Sequence, residues 1–200
     1  MNRLLLLFFI SCSLILPAQS DTTYIKVHFF YGSKPKMKYH KVESKRFGGL
    51  HGGHVSMELN DTNFGFLFKG RVHIFSHKKN LHSHWVTESN ASWVNDTIND
   101  KYATVLVPLT GAQLQIYNQI KQEYLNHTPY DYAFFGMRCA ASTYDMFSQM
   151  GFFKHRSRFG MVSKIFYPKL LRKRFLKLAQ QNQWEVIRHE GSSRRKWERR

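Results

Sequence analysis

One cysteine lies where its thiol could act as a nucleophile. Cys139 follows the aromatic run 130–137 and opens a stretch with helical spacing. The free backbone N–H groups at the start of a helix favour a nearby anion, and the thiolate is the nucleophilic form of cysteine. The chain has 2 cysteines, and the other, Cys12, lies in an N-terminal segment that we expect to be removed. We therefore predict a free reactive thiol at Cys139, with a buried inert cysteine as the alternative.

A histidine early in the chain could serve as the base for this thiol. His54 follows Gly52 and Gly53, and glycines at such a position let a substrate backbone approach closely. Apolar and polar residues alternate through 54–59, which predicts a strand with His54 on its polar face. An imidazole there could take a proton from the thiol and return it to a leaving group. Because the chain has 11 histidines, the alternative is a surface histidine without a role.

The elements that must position these two residues are predicted from periodicity and turn chemistry. The three strands after the glycine-rich turn are expected to form an antiparallel meander. The segment from His77 to Lys101 is predicted to be a long loop, and Ser192 to Arg200 a mobile tail. The predicted strands are Thr23 to Tyr31, Val55 to Asn60, Phe64 to Phe68, Arg71 to Phe75, Tyr102 to Leu109 and Trp184 to Arg188.

Three helices are predicted from capping and stop signals. The first begins after a capping box at Thr110 and Gln113 and ends before Pro129. The second runs from Cys139 to Met150, with Gly151 as its C-terminal stop. The third is the very basic segment from Pro168 to Gln180. The order of strands and helices predicts a single α+β domain.

The N terminus has the pattern of a secretory signal peptide. A positive start precedes a short apolar stretch, and the small residues near Ser20 form a cleavage signal. We expect residues 1–20 to be a signal peptide, 21–153 a catalytic domain, and 154–200 a basic region packed on the same domain. Lipoprotein processing at Cys12 is the alternative. No later segment reaches the roughly 20 apolar residues of a membrane span, so we expect an exported protein without a transmembrane segment.

The charge of the chain indicates an anionic partner. The formal net charge is +17, and from Lys154 onward there are 15 Lys/Arg against 3 acidic residues. A basic surface favours lipid headgroups, acidic envelope polymers or nucleic acid. Export makes nucleic acid the least expected of these, and we predict no nucleic-acid partner. The alternative is a solvated basic face that keeps the protein soluble, and the oligomeric state is left open.

Motif order gives the chain a resemblance to a known superfamily. The tripeptide Gly53-His54-Val55 lies on an early strand, and Tyr130-Asp131-Tyr132 with Cys139 follows a strand and a capped helix. This arrangement resembles the circularly permuted papain-like hydrolases, related to NlpC-type cell-wall peptidases and including lecithin–retinol acyltransferase. In that group a histidine on a strand precedes the nucleophilic cysteine at a helix start. The resemblance covers roughly residues 47–151.

The resemblance implies an α+β fold, an antiparallel sheet meander with helices, and cysteine-dependent acyl chemistry. Cys139 would be the nucleophile and His54 the base, acting on an envelope peptide or lipid through an acyl-enzyme, without a cofactor. The family places a polar residue on the strand after the base, but the segment 64–68 has none. We take His73 as the first choice for this third role and Glu58 as the second.

The remaining candidates concern substrate binding and metal. Gly53, Tyr130 and Arg138 are predicted to contact substrate, with a buried aromatic and a solvent-facing arginine as the alternatives. No spacing of histidines and acids matches a zinc motif, so no metal is predicted. Two other functions stay open: a catalytically inactive envelope-binding module of the same fold, and a zinc-binding protein.

Overall fold

The structure, a computed structural model, describes residues 22–39, 44–79 and 81–199, where the chain is α+β. The expected signal segment and Cys12 lie outside these ranges. The strands are β1 (Thr23–Tyr31), β2 (Ser33–Pro35), β3 (Gly53–Leu59), β4 (Thr62–Phe68), β5 (His73–Phe75), β6 (Ser83–Ser89), β7 (Tyr102–Leu109), β8 (Ala133–Phe135), β9 (Val186–His189) and β10 (Arg195–Trp197). The helices in these ranges are α1 (Asn90–Thr97), α2 (Gly111–Asn126), α3 (Cys139–Gln149), α4 (Arg158–Lys164) and α5 (Pro168–Asn182).

A six-stranded antiparallel sheet is the centre of the fold. Its strand order is β6-β4-β3-β1-β7-β9. β1 lies inside the sheet between β3 and β7, and its last five residues are all buried. Two small pairs stand apart from it, β2 with β10 in antiparallel and β5 with β8 in parallel. The predicted first strand is confirmed, since β-branched and aromatic residues suit a strand covered on both faces.

The two faces of the sheet are covered differently. One face packs its apolar side chains against α2, α3 and α5 and forms the main hydrophobic core, which includes Val55, Met57, Phe64, Phe66, Val105 and Phe175. The other face carries the alternate residues of the same strands, many of them polar, such as His28, Ser56 and Asn63. Trp93 of α1 covers part of this second face by packing on the His28 ring. The polar face is therefore left as the floor of a cleft.

The predicted helix signals are confirmed. The Thr110 side chain accepts a hydrogen bond from the Gln113 backbone, and the Gln113 side chain accepts one from the Thr110 N–H in return. Gly151 follows α3 with a φ of 84°, the left-handed conformation that favours glycine. Pro168 stands in the first turn of α5, where its missing N–H is not needed. Met161, Leu171 and Phe175 from the two C-terminal helices join the same core as the strands.

Three predictions about the arrangement are wrong. The third strand beside β4 is β6, whereas the predicted strand Arg71 to Phe75 is the short β5, paired with β8 outside the main sheet. The predicted loop from His77 to Lys101 contains β6 and α1. Only Trp85 of β6 is buried, so the strand shows no clear alternation. The predicted mobile tail contains β10, which pairs with β2 through backbone hydrogen bonds that sequence does not display.

No helix in the described parts of the chain is long and apolar enough to cross a membrane.

Candidate active site

Cys139 is the first residue of α3, and its thiol is buried and free. No side chain caps the start of this helix, and its first turn contains no acidic residue. Burial raises the pKa of the Cys139 thiol, but a hydrogen bond with His54, the charge of that residue and the Val55 backbone N–H together lower the pKa below its ordinary value. The start of the helix adds partial positive charge at the same point. The site therefore favours a thiolate.

The His54 imidazole packs against two aromatic rings, Phe47 and Phe30, that also contact each other at the start of β3. The Phe47 ring is nearly parallel to it, with centroids 5.8 Å apart and an interplanar angle of 15°. Phe30 of β1 stacks at 6.4 Å. Phe47 has a φ of 47°, a left-handed conformation that non-glycine residues rarely adopt and that costs free energy. This strained turn puts an aromatic ring against the histidine that meets the thiol.

Position 53 requires glycine because the Phe30 backbone and the Pro168 side chain approach it closely. The φ of Gly53 is 117°, and a Cβ there would lie 2.7 Å from the Phe30 carbonyl oxygen and 3.2 Å from a Pro168 side-chain atom. Only glycine fits this position without a shift of the backbone. Gly53 therefore sets where β3 begins, and with it the position of the adjacent His54.

Tyr132 supplies a hydroxyl beside the nucleophile. Its oxygen donates a hydrogen bond to the Cys139 sulfur at 3.8 Å. Burial raises the pKa of Tyr132 well above its ordinary value, and the charge of the neighbouring thiolate raises it further. The hydroxyl therefore keeps its proton across the physiological range and can donate it in a hydrogen bond. A donor at this place could stabilise either the thiolate or an oxyanion formed on a substrate carbonyl.

The thiol and the imidazole line a cavity of about 1080 Å³. Its walls include Phe68, Phe134 and Phe166, and its floor includes Ser56 and Asn63 from the polar face of the sheet. The Ser56 hydroxyl and the Asn63 side-chain carbonyl oxygen are buried there without a partner among the described residues. The space accommodates a ligand much larger than a water molecule, with apolar walls and a polar floor.

Gly65 is the residue of β4 that faces the His54 imidazole. A Cβ built on Gly65 would lie 3.8 Å from His54 Nε2, and Gly65 pairs across the sheet with Val86. Neither residue predicted for the third role reaches His54. His73 lies on β5 and binds Asp131, whereas Glu58 binds His28 and Lys26 further along the polar face. Neither assignment to the third role gains support, because the His73 side chain is bound to Asp131 and the Glu58 side chain to His28 and Lys26.

Asp131 organises a separate cluster at one side of the site. Its buried carboxylate accepts hydrogen bonds from the His73 ring and from the backbone N–H groups of His77 and His82. The Ser83 hydroxyl donates to it as well. Burial acts to raise the pKa of Asp131, but these hydrogen bonds lower it below its ordinary value. The cluster ties the segment around β5 to the residue that precedes Tyr132.

Of the two other side chains predicted to contact substrate, Tyr130 and Arg138, only Arg138 lines the cavity. Tyr130 is buried in the core against Phe66 and does not line the cavity, whereas Tyr132 does, so the structure lends no support to the predicted substrate contact of Tyr130. Arg138 does line the cavity. Its guanidinium lies 3.7 Å from the Phe166 ring centroid and donates to the Phe166 carbonyl oxygen. The arginine therefore closes the cavity wall at the start of α3.

No group of three or more histidines, cysteines and acids within the described ranges has the arrangement of a metal site. The His77 ring stacks on His73 with centroids 4.0 Å apart, and the His82 ring packs against His73 at a tilt with centroids 4.3 Å apart.

Three residues of the site were missed by reasoning from sequence. From sequence, Tyr132 stands out only as part of the motif before Cys139, Gly65 only as a non-polar position in the segment 64–68, and Phe47 not at all. Strand alternation could have placed Gly65 on the face shared with His54, since it is an odd number of residues from the core-facing Phe64 and Phe66. Nothing in the sequence indicated that the strained Phe47 would stack on the histidine.

The arrangement can deliver a thiolate to an electrophilic carbon in the cavity and supply a histidine for proton transfer. Comparison with known proteins adds no assignment: no family model, no curated protein and no solved structure matches the chain.

Proposed function

We propose that the protein is an exported cysteine hydrolase or acyltransferase of the permuted papain-like type, acting on an envelope peptide or lipid. The observation that carries the proposal is the thiol of Cys139, which is buried at a helix start, has its pKa lowered by the neighbouring His54, and lines a large cavity together with that histidine. A merely structural cysteine needs neither a lowered thiol pKa nor a cavity beside it.

The chemistry follows from the positions of the groups. The Cys139 thiolate attacks a carbonyl carbon, and a C–S bond forms while the carbonyl π electrons move onto oxygen. The Tyr132 hydroxyl and the backbone N–H groups at the start of α3 are the donors that could hold this oxyanion, typically worth about 3 kcal/mol each. Collapse breaks the bond to the leaving group, which takes the proton from His54. Water or another acceptor then attacks the thioester carbonyl while His54 removes its proton, and collapse of this second intermediate breaks the C–S bond, which releases the product and regenerates the Cys139 thiolate beside a protonated His54.

A second candidate function is favoured by one observation. Gly65 gives His54 Nε2 no polar side chain on β4, and an imidazole without an orienting partner loses much of its value as a base. A protein of the same fold that binds an envelope ligand without turning it over would fit this absence. Zinc binding has no comparable support.

The rate of Cys139 alkylation by iodoacetamide, measured across pH, tests the proposal. An ordinary thiol reacts slowly until the pH nears about 8.5. We expect reactivity to persist below pH 7 in the wild type, and His54→Ala to lower the rate at about pH 6 by roughly 100-fold, because the thiolate fraction falls by that order.

The matched control is His51→Ala, which removes an exposed histidine that also lines the cavity. It should leave the pH profile unchanged. A slow reaction in the wild type that neither substitution alters would exclude an activated thiol and leave the binding module as the better account.

A further inference from the structure

Six large apolar side chains are exposed together beside the cavity, and we call them the apolar rim. They come from the end of β4, from β5 with the residue before it, and from β8: Phe68, Val72, Ile74, Phe75, Phe134 and Phe135. The parallel pairing of β5 and β8 brings Phe75 opposite Phe135, with their rings stacked at 5.7 Å. Ile74 is 63% exposed and Phe75 is 67% exposed. Apolar exposure gathered in one place indicates an interaction surface.

The apolar rim lies at one edge of the cavity opening. Phe68, Val72 and Phe134 line the cavity and are also exposed, so they lie where it meets solvent. Phe134 continues inward through a ring contact with Phe166 at 5.7 Å. Whatever covers the apolar rim therefore also faces the opening through which a ligand reaches Cys139.

Cations flank the apolar rim on both sides of β5. Lys69 and Arg71 lie between Phe68 and Val72, and Lys78 and Lys79 follow β5; all four are exposed. The segment 67–79 contains no Asp or Glu. Among the described residues, none of the ion pairs involves these four cations. The surface thus combines aromatic side chains with uncompensated positive charge.

We propose that the apolar rim docks onto the surface of an anionic lipid bilayer, with the cavity opening toward the membrane. Aromatic side chains insert at the level of the headgroups, and adjacent lysines and arginines bind anionic headgroups, each contributing about fivefold in affinity. A second copy of the chain is a poorer occupant. A two-fold interface would bring the same cations of both copies together.

This docking gives the proposed function a substrate class. A cavity with apolar walls that opens onto a bilayer would take the acyl chain and ester or amide carbonyl of a lipid. That consequence rests on the proposed function, whereas the docking itself does not. The sequence predicts that the basic C-terminal region contacts the anionic surface. The docking proposed here places that contact at the edge of the cleft instead.

Binding to lipid vesicles tests the proposal in a Cys139→Ser background, so that loss of the proposed chemistry would leave the result unchanged. Cosedimentation is measured with vesicles of phosphatidylglycerol and phosphatidylcholine in equal parts, and with phosphatidylcholine alone. All variants begin at the same residue, so that the N terminus contributes equally to binding. We expect binding to the anionic vesicles that weakens as salt is added.

The decisive variant is Ile74→Ser/Phe75→Ser/Phe135→Ser, which should lower affinity by at least about tenfold because three buried contacts with lipid are lost. The matched control, Met37→Ser/Leu125→Ser/Ile187→Ser, removes three exposed apolar residues elsewhere on the protein and should bind as the parent does. Two measurements check that the rim substitutions keep the fold. Thermal unfolding should be unchanged, and so should the rate of Cys139 alkylation when the same substitutions are made with the cysteine restored.

Charge reversal separates the two basic surfaces. Lys69→Glu/Arg71→Glu should weaken binding to anionic vesicles by at least about tenfold, whereas Lys173→Glu/Lys177→Glu on the exposed side of α5 should change it little. The proposal is overturned if the rim variants bind like the parent, or if only the α5 variant loses binding. It is also overturned if the apolar rim is found to hold two copies of the chain together, seen as a dimer that the rim substitutions dissociate.

Discussion

Two histidines of this protein are paired with buried carboxylates, and a third meets the thiol without one. His28 binds Glu58 on the polar face of the sheet at 3.1 Å, and His73 binds Asp131 beside the cleft. His54 has aromatic rings and Gly65 around it instead. A carboxylate partner is often taken as the mark of a catalytic histidine. Here the paired histidines lie in contacts that hold strands and loops together.

The physical reason lies in what each carboxylate already does. Asp131 accepts from the backbone of His77 and His82, which fixes the segment around β5 to the residues before Tyr132. Glu58 joins β3 to β1 through His28 and Lys26. Buried carboxylates with several partners contribute to folding, and they are not available to orient a base elsewhere. The comparison therefore separates residues expected to affect stability from residues expected to affect reactivity.

The largest effect is expected at Asp131. Asp131→Asn keeps the shape but removes the charge that four donors share, and we expect a loss of about 3 kcal/mol in the free energy of unfolding. Urea denaturation measures this. His54→Ala, by contrast, should change stability by less than about 1 kcal/mol.

The control for Asp131 is Asp61→Asn, an exposed residue in a left-handed turn that asparagine also tolerates. If Asp131→Asn is as stable as this control, the cluster does not hold the fold and the comparison fails.

The second effect concerns pH and His28. Burial lowers the pKa of His28 below its ordinary value of 6.5, although the hydrogen bond to Glu58 opposes this. A base whose folded pKa is lowered contributes stability that is present above the unfolded pKa and is lost as the pH falls toward the folded pKa. We therefore expect the free energy of unfolding to decline as the pH falls from about 6.5.

His28→Phe tests this assignment through the slope of stability against pH. The variant should be less stable overall, because Glu58 and Thr104 each lose a hydrogen-bond partner, but its stability should change less between neutral and mildly acidic pH. Urea denaturation at a series of pH values gives the slope. An identical slope in both proteins would show that His28 is not the titrating group.

A smaller effect is expected from supplying the missing partner to His54. A serine at Gly65 would place its Cβ in ordinary contact with Ser56 and bring a hydroxyl within reach of His54 Nε2. We expect Gly65→Ser to raise the rate of Cys139 alkylation at neutral pH several-fold, because the imidazole is held in one orientation. Gly65→Ala, which adds bulk without a hydroxyl, is the control. Equal rates in the two variants would show that orientation does not limit reactivity.

The smallest effect is expected at the exposed partner of Glu58. The Lys26 side chain is 40% exposed, so its ion pair with Glu58 at 2.5 Å is screened by solvent. Lys26→Met should cost no more than about 0.5 kcal/mol, measured by urea denaturation. A cost as large as that of His28→Phe would mean that the exposed and buried partners of Glu58 contribute alike.

Much of the fold followed from local signals in the sequence. The capping box at Thr110, the stop at Gly151 and the β-branched and aromatic residues of the strand 23–31 are each local signals, and the structure confirms the elements that they predict. The strand β6 was missed because a strand with one buried side chain leaves no periodic trace. The pairing of β5 with β8 was missed because it joins segments far apart in the chain, with His73 opposite Ala133.

What the sequence alone determined is the local setting of each reactive group. A cysteine opens a helix, and a histidine stands on the polar face of a strand that begins at a glycine. Which histidines are bound to carboxylates was decided only by the tertiary structure. Residues that are distant in the chain can bind the same carboxylates, and the register of β3, β4 and β6 determines which of them lie close enough to do so. The same packing leaves glycine beside His54 and gathers the apolar rim at one edge of the cavity opening, which no local pattern could indicate.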